Sequence, residues 1–164
     1  MVESNSQAFE AVKEYFSAPD YEASQVGDKP ILDLKFEGSF GDRDEEWKAQ
    51  IIVSDNISFK KVVLFSFIPF KITRGKQEEV VELLNRINCV EDIGNFELNY
   101  NTGQVRCKTS FEVMSENITS NLLYSIETKN TDLMGKYIPM IDRVSKGELL
   151  PMDAIDDDDY DNYD

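Results

Sequence analysis

The chain has 164 residues, 41% of them hydrophobic, and a net charge of −15; that suits one domain with a real core and excludes a general nucleic-acid binder, whose phosphate contacts need clustered Lys and Arg. It contains no histidine, which removes Ser-His-Asp and Cys-His catalysis and every His-containing metal site. The longest near-apolar run, VVLFSFIPF, is too short for a membrane helix, and MVESNSQAFE has neither the basic start nor the apolar stretch of an export signal, so a cytosolic protein with no membrane partner is expected.

Phe9, Val12 and Phe16 recur at spacings of three and four and predict a helix over residues 6–17, capped by Ser6 or by Ser4 with Gln7. The following APDYEASQVGDKP is rich in breakers and reads as a loop. Three strands come next. Leu32, Leu34 and Phe36 alternate with Asp33, Lys35 and Glu37, so one face is buried and one wet. GDRDEE turns the chain, and Trp47, Ala49, Ile51 and Val53 then share one side. The third run is apolar at both parities from Val62 to Ile68, as in a strand covered on both sides, and belongs at the sheet's centre; Pro69 should end its pairing.

ITRGKQEEVVELLNRINCV has helical spacing, with Val80, Leu84 and Ile87 on one face, Thr73 as N-cap and Glu82 placed to pair with Arg86. NFELNY and VRCKTSFEV follow as two strands joined at Asn101–Gly103, a three-residue hairpin loop with Gly103 in the left-handed position. Asn88, at a helix end, is expected to bond stray carbonyls, and Gly94 to turn the corner into the strand. A last helical region carries an apolar stripe from Ile118 to Val144. KNTD weakens its middle, Pro139 should kink it, and Gly147 should end it. The order is α-βββ-α-ββ-α, an α+β fold with a largely antiparallel five-stranded sheet packed with helices.

From residue 79 onward these features resemble the bacterial YbjN family of sensory transduction regulators. They are a helix ending in Leu84-Asn85-Arg86-Ile87-Asn88, a corner leading to Phe96, a turn at Asn101–Gly103, Tyr137 with Pro139 in the last helix, and a closing Pro151 to Ile155. The resemblance covers roughly residues 31 to 155. It implies a fold like that of type III secretion chaperones: small α/β proteins, often dimeric, that hold a partner and catalyse nothing. Residues 1–151 then form one domain. Residues 152–164, MDAIDDDDYDNYD, hold seven Asp and lie outside the shared pattern. Composition reads them as a solvated, disordered acidic tail.

No phosphate loop or dinucleotide fingerprint is present, and no cofactor is expected. The carboxylate pairs, Glu91 with Asp92 among them, fall in turns or on wet helix faces, where nothing separates their acidities. The Asp run lacks the order of a calcium loop, so no metal is expected. Cys89 and Cys107 read as reduced packing residues. Arg74, Arg86 and Arg106 each read as surface-paired, not as an anion site.

The doubly apolar strand is the most informative feature. If all helices pack on one face, Val63, Phe65 and Phe67 form a patch on the other that wants a cover. The expected function is therefore a non-enzymatic, chaperone-like regulator that binds another protein or itself, most simply as a homodimer, through those three residues. The alternative is a small-ligand sensor with a pocket between the sheet and the last helix, lined by Tyr100, Arg106 and Tyr137.

Overall fold

The first helix, α1 (Gln7–Tyr15), starts where Ser6 accepts a hydrogen bond from the Phe9 amide through its Oγ at 3.1 Å. The structure, a computed structural model, describes residues 6–40, 43–114 and 117–155. Ser4 and the Asp-rich segment beyond Ile155 lie outside the described residues. Ala8, Phe9, Val12 and Phe16 turn one apolar stripe of α1 inward, as their spacing requires.

Four strands follow as a meander: β1 (Glu22–Gln25), β2 (Ile31–Phe40), β3 (Arg43–Asp55) and β4 (Lys60–Lys71). A 3-10 turn at Arg74–Lys76 leads into α2 (Gln77–Val90); then come β5 (Asn95–Asn99), β6 (Gln104–Val113), the long α3 (Ser120–Ser145) and the short α4 (Pro151–Ala154). The strands form one sheet in the order β1-β2-β3-β4-β6-β5, with every neighbouring pair antiparallel. β4 is interior, as its sequence predicts, and β6 returns to lie beside it.

The sheet has six strands, not five. The added strand is Glu22–Gln25, inside the segment read as a loop; all four of its residues are exposed, so no buried parity marks it in the sequence. The hairpin loop is four residues, Tyr100–Gly103, because Asn99 still pairs with Gln104. Gly103 does take the left-handed conformation, φ +71°, and a Cβ there would collide with the Ile72 carbonyl oxygen. The Ile72 amide in turn donates to the Gly103 carbonyl at 2.8 Å, tying the exit of β4 to the hairpin. Pro69 does not end β4: the register slips between Phe67 and Lys71 and pairing resumes at Lys71 opposite Gln104. Thr73 stands at the N-terminus of the 3-10 turn without a side-chain capping bond.

α1, α2 and α3 all pack on the same side of the sheet. The strand residues pointing there are buried: Leu32, Leu34 and Phe36 on β2, Trp47 to Val53 at alternate positions on β3, Val62, Leu64 and Ile68 on β4, Phe96 on β5, and Val105 and Cys107 on β6. α3 runs as one unbroken helix through Asn130 and Pro139. Asn130 does not interrupt it, because its side chain turns into the core. Its Nδ2 donates to Thr109 Oγ1 at 3.1 Å, and Thr109 donates onward to the Ile126 carbonyl at 3.0 Å. α3 ends with the Glu148 and Gly147 amides bonded back to the Arg143 and Val144 carbonyls at 2.8 and 3.0 Å, the Schellman pattern.

Candidate functional site: the open face of the sheet

With the helices on one side, the outward parity of every strand is left without a helical layer. On β4 that parity is Val63, Phe65 and Phe67, each half-buried, alternating with fully buried Val62, Leu64, Ser66 and Ile68. Register brings Ile52 of β3 opposite Val63, and Ile31 of β2 opposite Ile52. The three β4 residues are thus the centre of a five-residue apolar patch. Ile31 and Ile52 were legible in principle, since each breaks the wet parity of its strand.

Polar groups frame the patch in an ordered way. On β6, Lys108 lies opposite Phe65 and Arg106 opposite Phe67. The Arg106 guanidinium sits 4.1 Å from the Phe65 ring centroid, a cation–π contact. It is held there by Glu97 of β5, whose Oε2 accepts from Arg106 Nη2 at 2.6 Å and whose Oε1 accepts from Lys108 Nζ at 2.6 Å. Burial by itself would raise the pKa of Glu97; Lys108, Arg106 and the Asn95 amide outweigh it and hold the carboxyl down to about 2. On the other flank Lys35 pairs with Glu46 at 2.6 Å and more loosely with Glu22 at 3.8 Å.

Phe67 stands between two grooves. One, of about 710 Å³, runs over Lys35, Lys48 and Gln50 toward β1. The other, of about 590 Å³, lies between Lys71, Glu97 and Arg106. Gln104 borders both, so they form one trough interrupted by the Phe67 ring. Lys48 and Lys71 are exposed and make no ion pair with any described residue.

Tyr100, Arg106 and Tyr137 are not brought together. Arg106 alternates with the buried Val105 and Cys107, so it points away from α3. Tyr137 is fully buried on the helical side, its ring edge-on to Phe96 with centroids 5.8 Å apart. Tyr100 is half-exposed in the β5–β6 loop.

What Tyr137 does instead corrects the expectation for Glu91. That carboxylate is not on a wet face: its side chain is only 11% exposed. Oε1 accepts from the Tyr137 hydroxyl at 2.6 Å and from Lys136 at 3.0 Å, and Oε2 from Lys129 at 3.0 Å. Burial opposes its charge, but these three donors together pull its pKa below the ordinary carboxylate value. Tyr137 is pushed up to about 12, by burial first and the Glu91 bond second. The cluster clasps the end of α2 to the middle of α3. A second clasp joins Tyr15 and Tyr21 to Glu127 of α3 at 2.7 and 2.9 Å.

Cys89 and Cys107 are both free; burial pushes the Cys107 thiol up to about 12, with Glu91 adding to it. Arg86 pairs with Glu82 at 2.9 Å, as its spacing predicts. Among the described residues no group of three or more Cys, Asp or Glu is placed to hold a metal ion, and no helix is long and apolar enough to cross a membrane.

The architecture and the open face define a class: an antiparallel sheet backed on one side by helices, with an apolar strip and a flanking trough on the other. Compared with protein-family models and with curated proteins, the sequence matches none.

Proposed function

We propose that this chain is a non-enzymatic, chaperone-like cytosolic regulator that binds another protein through the open face centred on Val63, Phe65 and Phe67. One observation carries the proposal: every helix that packs on the sheet packs on one side, so aromatic side chains of the central strand stay half-exposed on the other. Patches of this kind on a soluble domain mark interaction sites. The trough beside Phe67, along which Lys48 and Lys71 make no ion pair with any described residue, suits an extended segment that interleaves apolar or aromatic side chains with carboxylates. The resemblance of residues 79–155 to the YbjN family supports the same reading, as does the order α-βββ-α-ββ-α that remains when the short β1 and α4 are set aside and that the type III chaperone-like fold would have.

Phe67→Asp tests it, with Tyr124→Asp on the exposed side of α3 as control. Both variants should unfold at wild-type temperature. Only Phe67→Asp should lose the proteins captured by the full chain, or the dimer seen in sedimentation if the captured protein is a second copy. Equal capture by the two variants, or unfolding of Phe67→Asp, would remove the face from consideration.

A further inference from the structure

We propose that a second copy of this chain docks on the free edge of β1, the two strands pairing antiparallel about a two-fold axis at Ser24, so that two six-stranded sheets become one. This goes beyond the protein-binding reading and stands without it, because β2 and β3 separate the edge from Phe67 and the open face stays free. The sheet treats its two edges differently. On β5, Asn88 takes both backbone groups of Phe96, and α2 packs alongside. On β1, no described residue does the same.

The ladder fixes which groups are free. The Val26 amide donates to the Ile31 carbonyl at 3.0 Å, so Ser24 with Asp33 and Glu22 with Lys35 are the hydrogen-bonded pairs between β1 and β2. Ala23 and Gln25 fall between them, and their N–H and C=O groups point away from β2. Edge groups left this way are a template for another strand. A second β1 fits it in one register. Ala23 of each copy lies against Gln25 of the other, every one of those groups finds a partner, and the two Ser24 residues face each other between the bonded pairs. Sliding by two residues sets Ala23 or Gln25 against its own copy and loses half of these bonds.

Side chains raise no obstacle. All four β1 residues are exposed, so no helix overhangs the edge. The strand's one charge, Glu22, has Lys35 3.8 Å away. In the paired register the two Glu22 residues stand about 14 Å apart, four residues along and one strand across, beyond the screening length of about 8 Å at physiological salt. Within the paired strands no like charges face each other. Opposed residues share a face, so both helical layers lie on one side and both open faces on the other. Glu22, Ala23 and Ser24 line the larger groove, so pairing joins the two copies of that groove across the axis. Four residues make a short seam, and the association is therefore concentration-dependent.

The test uses the full chain with Cys89→Ser, which leaves only the buried Cys107 thiol. Across the axis the two residues at position 24 form a non-hydrogen-bonded pair with Cα atoms about 4.5 Å apart, within disulfide reach. With oxidised glutathione, adding Ser24→Cys should link most chains in pairs, while adding Glu22→Cys, the distant control, should leave them single. Ala23→Pro takes away one free amide and no bond of the β1–β2 ladder, so it should keep the wild-type melting temperature. In sedimentation the wild type should rise toward the mass of two chains with concentration, Phe67→Asp should follow it, and Ala23→Pro should stay at one. Equal linking from positions 24 and 22, a wild type that stays single at every concentration, or a dimer that survives Ala23→Pro would overturn the proposal. If Ala23→Pro melts early, the linking comparison alone decides. A dimer lost in Phe67→Asp and kept in Ala23→Pro would overturn it too, and would place the second copy on the open face. Capture of another protein that is lost in Phe67→Asp upholds the protein-binding reading whichever way the β1 result falls.

Discussion

Asn88 and Phe96 are joined by both atoms of one side-chain amide: Asn88 Nδ2 donates to the Phe96 carbonyl at 3.0 Å, and its Oδ1 accepts from the Phe96 amide at 2.8 Å. A residue of α2 therefore acts as a one-residue strand against the free edge of β5, occupying backbone groups that could otherwise pair with another chain. Replacing Asn88 by Ala removes both bonds and should cost about 1–2 kcal/mol. Urea midpoints would show this, and hydrogen exchange at the Phe96 amide should accelerate more than at Leu98. Unchanged exchange at Phe96 would mean that water or a backbone shift replaces the amide.

The Glu91–Tyr137 contact gives a pH signature of its own. Tyr137→Phe deletes a charge-assisted bond and should lower stability by about 2 kcal/mol at neutral pH. Because the folded-state value of Tyr137 is raised to about 12, its contribution is complete below the unfolded value near 10 and fades as pH rises through 12. The stability gap between wild type and Tyr137→Phe should stay constant to about pH 10 and then close. A gap that persists at pH 12 would show that the ring's packing on Phe96, and not the hydroxyl, is what matters.

Glu97 works in the opposite direction. Its folded-state value is held at about 2, so its contribution is complete above the ordinary carboxylate range and is lost as pH falls through 2. Glu97→Gln should cost about 1 kcal/mol at neutral pH, since these pairs are partly solvated, and the difference from wild type should vanish in strong acid. The same variant should loosen Arg106 from Phe65, which a change in the Phe65 ring resonances would report.

Gly94 turns the corner before β5 with φ +88°, and a Cβ there would lie 2.6 Å from Leu133 Cδ1 and 3.0 Å from Thr109 Cγ2. Leu133 is buried, so its methyl must shift within the core to make room. Gly94→Ala should therefore cost about 2–4 kcal/mol, backbone strain and overpacking together. Gly27 also has positive φ, +55°, but open space around it; Gly27→Ala should cost about 1 kcal/mol, the backbone part alone. Thermal unfolding of the two variants separates the contributions.

Strands that bury one parity were legible because burial writes a period of two into the chain: Leu32-Leu34-Phe36 and Trp47-Ala49-Ile51-Val53 reach the core as that period requires. β1 was not, because Glu-Ala-Ser-Gln packs no side chain inward and is held by its ladder to β2. The apolar centre of the open face was legible from Val63, Phe65 and Phe67, since no wet strand needs three such residues on one side. Its polar frame was not. Glu97, Arg106 and Lys108 look like ordinary alternating charges until β5 and β6 are paired in register. Glu91 was misplaced for the same kind of reason. Its burial depends on Lys129, Lys136 and Tyr137, all more than thirty residues downstream, and no local pattern announces them.

The place of β6 in the sheet has a consequence for synthesis. β4 is complete at Lys71, but its neighbour β6 begins only at Gln104, and the helix that covers both ends at Ser145. A ribosome adding about 5–20 residues per second leaves roughly 4–15 s between the emergence of β4 and that of the last turn of α3. Throughout that interval the growing meander shows grease on both sides, so the nascent chain offers cellular holdases two targets where the finished molecule keeps one.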